Sequence, residues 1–143
     1  MTLEKLNFKI GISGTFFNNV PSYSILLNGK EYANGKAKET TEFIEFVEDL
    51  DEDQEHLLEI RLLNKTKRDT LVENNVIIKD TLLNIDSISI DDIELGELKW
   101  KMSEFVGDNP DRPILQRCVN LGWNGSYRLK FSSPFYLWLL ENM

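Results

Sequence analysis

Apolar residues in this chain recur at every second position, in short runs cut by turn residues. Phe8, Ile10 and Ile12 alternate with Lys9, Gly11 and Ser13. Leu58, Ile60 and Leu62 alternate with Glu59, Arg61 and Leu63, and Ile88 and Ile90 with Ser87, Ser89 and Asp91. A period of two sends successive side chains to opposite faces of an extended strand, one toward a core and one toward water. No stretch holds a sustained helical period. Asn28-Gly29 and Asn124-Gly125 are strong short hairpin signals, because both turn residues accept positive φ. Asn34-Gly35 marks a further turn. Many short strands with turns about every 8–12 residues predict an all-β fold, an antiparallel β-sandwich of jelly-roll type.

The chain is organised around two expected strands, His56–Leu63 and Leu83–Asp91, joined by a polar loop from Asn64 to Asp80. Within that loop, Val72–Ile78 reads as a short extra strand. Upstream, Tyr23–Leu27 and Lys30–Ala33 read as strands. Lys38–Val47 also reads as a strand, since its residues are largely β-branched or aromatic, although Phe43, Phe46, Val47 and Leu50 fit helical spacing. Glu48–Glu55 reads as a solvated turn. Downstream, Ile93 and Leu95 prolong the sheet to Gly96, and Leu98–Val106 has strand spacing. Gly107–Pro113 is a turn-rich linker with a short helix expected near Pro113. Cys118–Trp123 and Tyr127–Phe131 are expected to form a hairpin about Asn124-Gly125, and Phe135–Leu140 a buried strand or one helical turn. The expected organisation is a sandwich over residues 1–97, with residues 98–143 as a C-terminal extension packing on it or on a partner.

Composition narrows the partners. The chain has 143 residues, 41% of them hydrophobic, which suffices for a sizeable core. Its net charge of −8 and pI near 4.7 argue against nucleic acid or an anionic membrane as the main partner. Ten of the 24 acids lie between Glu39 and Glu59, with no Lys or Arg among them. A cation bound there would relieve their repulsion. The single cysteine, Cys118, allows no internal disulfide. The N-terminal MTLEKLNFKI has no apolar core of signal-peptide length. The longest apolar run, Phe135–Leu140, is far short of the roughly 20 residues a spanning helix needs. No membrane insertion and synthesis without an export signal are therefore expected.

Catalytic apparatus is sparse. His56, the only histidine, reads as structural, since no nucleophile motif accompanies it. One Cys and one His are too few for a zinc site. Calcium is a stronger option. Asp49-x-Asp51-x-Asp53 copies the start of an EF-hand loop, but Gln54 and Ile60 stand where Gly and Glu are required. The loop Asn64–Asp80 offers Asn64, Asp69, Glu73, Asn74, Asn75 and Asp80, oxygen donors suited to a hard cation. Among these, Asn64, Asp69 and Asp80 are the candidate metal ligands. Lys65, Lys67 and Arg68 sit among them and oppose a cation. Of the aromatics able to stack on sugars, Trp123 stands out, because it precedes a turn. Trp123 is thus the candidate carbohydrate-binding ring. The positive tail Arg112, Arg117, Arg128 and Lys130 is expected to face the acidic hairpin of a neighbouring copy.

The order VPSYSILLNGKEYANGK, an acidic hairpin, EHLLEIRLLNK and a polar loop ending in DTLLNIDSISIDDIEL resembles the calcium-dependent xylan-binding carbohydrate-binding modules. Pro21, Gly29, His56, Asn64, Asp80 and Asp86 fall on that family's pattern in order, over roughly Phe8 to Gly96. The resemblance implies a β-sandwich with a calcium–sugar site in the Asn64–Asp80 loop, with Asn64 and Asp80 joining Trp123 as carbohydrate-binding residues. Lys65 stands where the pattern has Asp, and an ammonium there would occupy or repel a cation site. The segment from Leu98 is similar in texture to small virion proteins of tailed phages, notably cyanophages. That likeness implies a non-catalytic structural or adhesion protein of a virion (decoration, neck, baseplate or tail), made in the host cytoplasm. Its expected partners are other virion proteins or further copies of itself. The alternative is an active calcium-dependent module recognising a cell-surface or plant-type glycan.

Overall fold

The computed structural model describes residues 2–143 and is an antiparallel sandwich. The first half supplies β1 (Leu3–Thr15), β2 (Ser22–Leu27), β3 (Lys30–Lys36), β4 (Glu42–Asp51) and β5 (Glu55–Leu62). After a 3-10 turn (Lys67–Asp69) come β6 (Thr70–Glu73), β7 (Val76–Asp80), β8 (Leu82–Ile90) and β9 (Ile93–Glu94). Helix α1 (Leu98–Lys101) precedes β10 (Ser103–Gly107), β11 (Leu115–Gln116), β12 (Asn120–Leu121), β13 (Gly125–Ser132) and helix α2 (Phe135–Asn142). One sheet runs β12-β8-β1-β4, with β9 on β8; the other runs β11-β10-β13-β5-β2-β3. Strands β6 and β7 form a separate two-stranded hairpin. No helix among the described residues is long and apolar enough to cross a membrane.

The period-two residues make the core. Leu6, Phe8, Ile10 and Ile12 of β1 are buried, as are Leu58, Ile60 and Leu62 of β5 and Leu129 and Phe131 of β13. The apolar phase of β8 slips from odd positions (Leu83, Ile85) to even ones (Ile88, Ile90). The cause is a bulge: Ile12 pairs with Ile85 and Gly11 with Ser87, leaving Asp86 unpaired and exposed. Gly11 pairs with Ser87 beside it, and a Cβ at Gly11 would lie 2.6 Å from Ser87 Oγ, so that the hydroxyl would have to move. The Asn28-Gly29 turn forms as expected, with φ of 52° and 83°.

Several sequence expectations change. The two central strands do not pair: β5 and β8 lie in opposite sheets, so the polar loop crosses from one to the other. Within it, Asn74 and Asn75, both at positive φ, turn the chain back, so the expected single strand is a hairpin. Asp91 and Asp92 do the same between β8 and β9, so Ile93 joins the sheet as a strand folded back on β8 and not as a continuation of it. Strand β4 forms where a strand is expected but runs on to Asp51, so the turn expected over Glu48–Glu55 shrinks to residues 52–54, and β4 is the last strand of its sheet. Leu98–Val106 splits into α1 and β10, no helix forms at Pro113, and Phe135–Leu140 lies in α2.

The division at residue 97 is not a boundary of the fold. Strand β13 lies between β10 and β5, pairing with β5 from Gly125↔Leu62 to Ser132↔Glu55. Residues 98–143 thus supply an interior strand of the sandwich rather than an appendage. The expected hairpin about Asn124-Gly125 is absent, because β12 pairs with β8 of the other sheet. Two residues of β12 and eight of β13 are separated at Asn124 by the change of sheet.

Candidate functional site

The register of β13 on β5 fixes two ends of the sandwich. Gly125 and Leu62 mark one, Ser132 and Glu55 the other. At the first end the loops after β1, β5, β10 and β12 come together with the β6–β7 hairpin. The loops after β5, β10 and β12 and the β6–β7 hairpin enclose an open groove of about 580 Å³, lined by Lys65, Thr70, Asn109, Arg112, Trp123 and Asn124 among others. The candidate Trp123 therefore meets Lys65, the residue that opposes a cation in the sequence reading, at one site, 58 positions apart in the chain.

Beneath the groove Lys65 is nearly buried, its side chain 7% exposed. Its ammonium donates to Asp80 Oδ1 at 2.6 Å, to the Thr81 carbonyl at 2.7 Å and to the Gly122 carbonyl at 2.7 Å. A lysine ammonium has three donors and all three are used. Asp80 Oδ1 also accepts from Thr70 Oγ1 at 2.7 Å and from the Thr81 N–H at 2.9 Å. The Lys65 backbone is clasped by Asn124, whose Oδ1 accepts from the Lys65 N–H at 2.7 Å and whose Nδ2 donates to the Lys65 carbonyl at 3.0 Å. The lysine thus ties together the loop after β5, the start of β8 and the β12–β13 junction.

Asn64 and Asp69 serve the same end of the fold by internal bonds. Asn64 Oδ1 accepts from the Ser22 N–H at 2.8 Å, and its Nδ2 donates to the Val20 carbonyl at 2.9 Å. Asp69 is fully buried. It accepts from Asn18 Nδ2 at 2.9 Å, from the Thr66 N–H at 2.8 Å and from Thr66 Oγ1 at 3.2 Å. Burial alone would raise its carboxyl. The bonds from Asn18 and Thr66 and the charge of Lys65 outweigh that and hold it below the ordinary carboxylate value. The candidate metal ligands Asn64, Asp69 and Asp80 are thus each engaged in internal bonds, and no group of three or more His, Cys, Asp or Glu among the described residues is placed to share a metal.

Trp123 is half-buried, with the Phe105 ring 5.7 Å away and the Arg112 guanidinium 4.2 Å from its centroid. The ring face expected to meet a sugar is therefore covered by a guanidinium, a cation–π arrangement. Gly107 permits this placement, since a Cβ there would lie 2.7 Å from Trp123 Nε1. Asp108 and Asn109 are hidden in the sequence because their segment, GDNPDRP, reads as a linker, and Arg112 stands out there only as part of a positive tail. Turn-forming residues carry no periodicity that says which end of a sandwich they reach.

The other candidate chemistry is internal. His56 is buried. Its Nε2 lies 2.9 Å from the Asp51 carbonyl and its Nδ1 3.0 Å from Asn28 Nδ2. A carbonyl only accepts, so Nε2 carries the proton and Nδ1 accepts from the amide. Asn28 Oδ1 in turn accepts from the Leu57 N–H at 2.9 Å, so the histidine locks the β2–β3 turn onto β5.

Among known proteins, no family model and no curated protein matches the chain. Solved structures do. One is vCBM60 in complex with galactobiose, at 10% identity and a TM-score of 0.57, covering 86% of this chain and 96% of that one. Another vCBM60 structure, described as an evolutionary link by circular permutation between two families of calcium-dependent carbohydrate binding modules, gives 10% identity and a TM-score of 0.58 over 87% and 89%. At that identity the likeness is one of fold. The donor set at Lys65 does not fit the metal such neighbours use: the oxygens that converge there are already taken by an ammonium.

Proposed function

We propose that this chain is a non-catalytic carbohydrate-binding module whose ligand, a cell-surface or plant-type glycan, lies in the groove over Lys65. The observation that carries this is the groove wall, an indole with a guanidinium laid on it, set at the loop end of a sandwich. Such a wall offers the flat face of a stacked guanidinium together with its N–H donors. That combination suits a sugar, whose C–H face is apolar and whose hydroxyls accept hydrogen bonds. The pair replaces the bare ring expected from the sequence: Arg112 supplies donors, and Trp123 holds them in place. Affinity electrophoresis through a panel of soluble glycans tests this. The wild type is expected to be retarded by at least one glycan, and Trp123→Ala and Arg112→Ala to run free. Equal retardation of all three would remove the groove from the reading.

The second reading, a structural or adhesion protein of a virion that binds other virion proteins or itself, is favoured by a different observation. The β6–β7 hairpin exposes Val72, Val76, Ile77 and Ile78, each at least half exposed. Clustered exposed aliphatics suit a protein contact. Light scattering discriminates: a monomer that is retarded by glycan supports the first reading, and an oligomer indifferent to glycan the second.

A further inference from the structure

We infer that the Lys65 ammonium is a covalently tethered cation that does the work of a metal ion in this loop cluster, making the groove end calcium-independent. Three oxygens converge on one point, a carboxylate and two carbonyls from Asp80, Thr81 and Gly122, each 2.6–2.7 Å from Nζ. Carboxylates and backbone carbonyls are the donors that hard cations take in loops. Two carbonyls and a carboxylate crowded together would repel one another without a positive charge between them. Here the charge comes from residue 65 itself, 7% exposed and with every donor used. The oxygens belong to separate segments, the β7–β8 junction (Asp80, Thr81) and the loop before β13 (Gly122). Lys65 belongs to a third, and so it performs the cross-linking of loops that a bound metal would perform. A tethered ammonium cannot be lost to a chelator or to dilution.

The inference stands apart from the identity of any glycan, and its test uses none. Thermal unfolding is followed for the full chain in chelator and in millimolar calcium. The wild type is expected to melt at the same temperature in both. Lys65→Met keeps the apolar stem but leaves Asp80, whose side chain is 17% exposed, without a charge partner, and its melting temperature is expected to fall by roughly 10 °C. Lys65→Asp removes the ammonium and adds a second carboxylate. It is expected to be destabilised in chelator and to rise by several degrees in calcium, as binding to the folded state alone requires. Calcium stabilisation of the wild type would overturn the inference. So would a Lys65→Met variant as stable as the wild type, or a folded Lys65→Asp variant indifferent to calcium. Should Lys65→Asp not fold, the other two proteins decide.

Discussion

The two ends of this sandwich are held by different physics. The groove end is tied by directed polar bonds: Lys65 to Asp80, Thr81 and Gly122, Asp69 to Asn18 and Thr66, and Asn64 to the 20–22 backbone. The far end is tied mainly by aromatic packing. Phe131 sits 6.0 Å from Phe8, 6.3 Å from Phe135 and 6.3 Å from Trp138, with the His56 ring 5.7 Å away. Helix α2 closes over that cluster, burying Phe135, Trp138 and Leu139. Apolar packing is tolerant of direction and needs only volume. A buried polar network holds each partner in one geometry and is costly when half-satisfied. A ligand site needs loops fixed in one arrangement, so the polar end is the better place for it.

Substitutions at four positions would break or sharpen that contrast. The largest loss is expected at the aromatic end: Phe131→Ala should cost about 3–5 kcal/mol in urea unfolding, because the cavity lies among rings that cannot all collapse into it. Its stability loss should be the same at neutral and acid pH. Asp69→Ala should cost about 2–3 kcal/mol, since it strands the Asn18 amide and the Thr66 N–H without a partner. Here pH discriminates between the ends. The folded carboxyl titrates below its unfolded value near 3.8, so the unfolded chain binds more protons in that window. The stabilisation from Asp69 is complete above that value and is lost as pH falls through the folded one. Urea midpoints measured from neutral pH down to about pH 3 should show this loss in the wild type, and Asp69→Asn should reduce it.

Smaller effects separate binding from folding. Arg112→Ala removes one cation–π contact and should cost no more than about 1 kcal/mol of stability, while abolishing glycan retardation. A large stability loss would mean that Arg112 is a structural strut of the groove end. Lys38→Ala, which removes a pair with Glu42 whose lysine is 69% exposed, should shift the urea midpoint by an amount close to zero. An appreciable loss there would show that surface charge contributes more to this acidic chain than its geometry indicates.

How much of this was legible in the sequence can be seen residue by residue. The alternation of Phe8, Ile10 and Ile12, and of Leu58, Ile60 and Leu62, identifies strands and their inner faces. The reason is local: a strand's two faces are set by its own pleat. Asn28-Gly29 fixes its turn for a similar reason, since positive φ is a property of the residues themselves. Lys65 and Asp80 could be marked as an odd pairing of charge types, and Trp123 as an awkward ring beside a turn. What the sequence withheld was which strands meet. Tertiary pairing alone placed β13 in the interior of a sheet, sent β5 and β8 to opposite sheets and turned a supposed linker into the groove's second wall. It also turned Lys65 from an obstacle to a cation site into the cation. Hydrogen-bond partners between strands distant in sequence leave no periodic trace within either one, so a residue's neighbours are decided only when the sheets close.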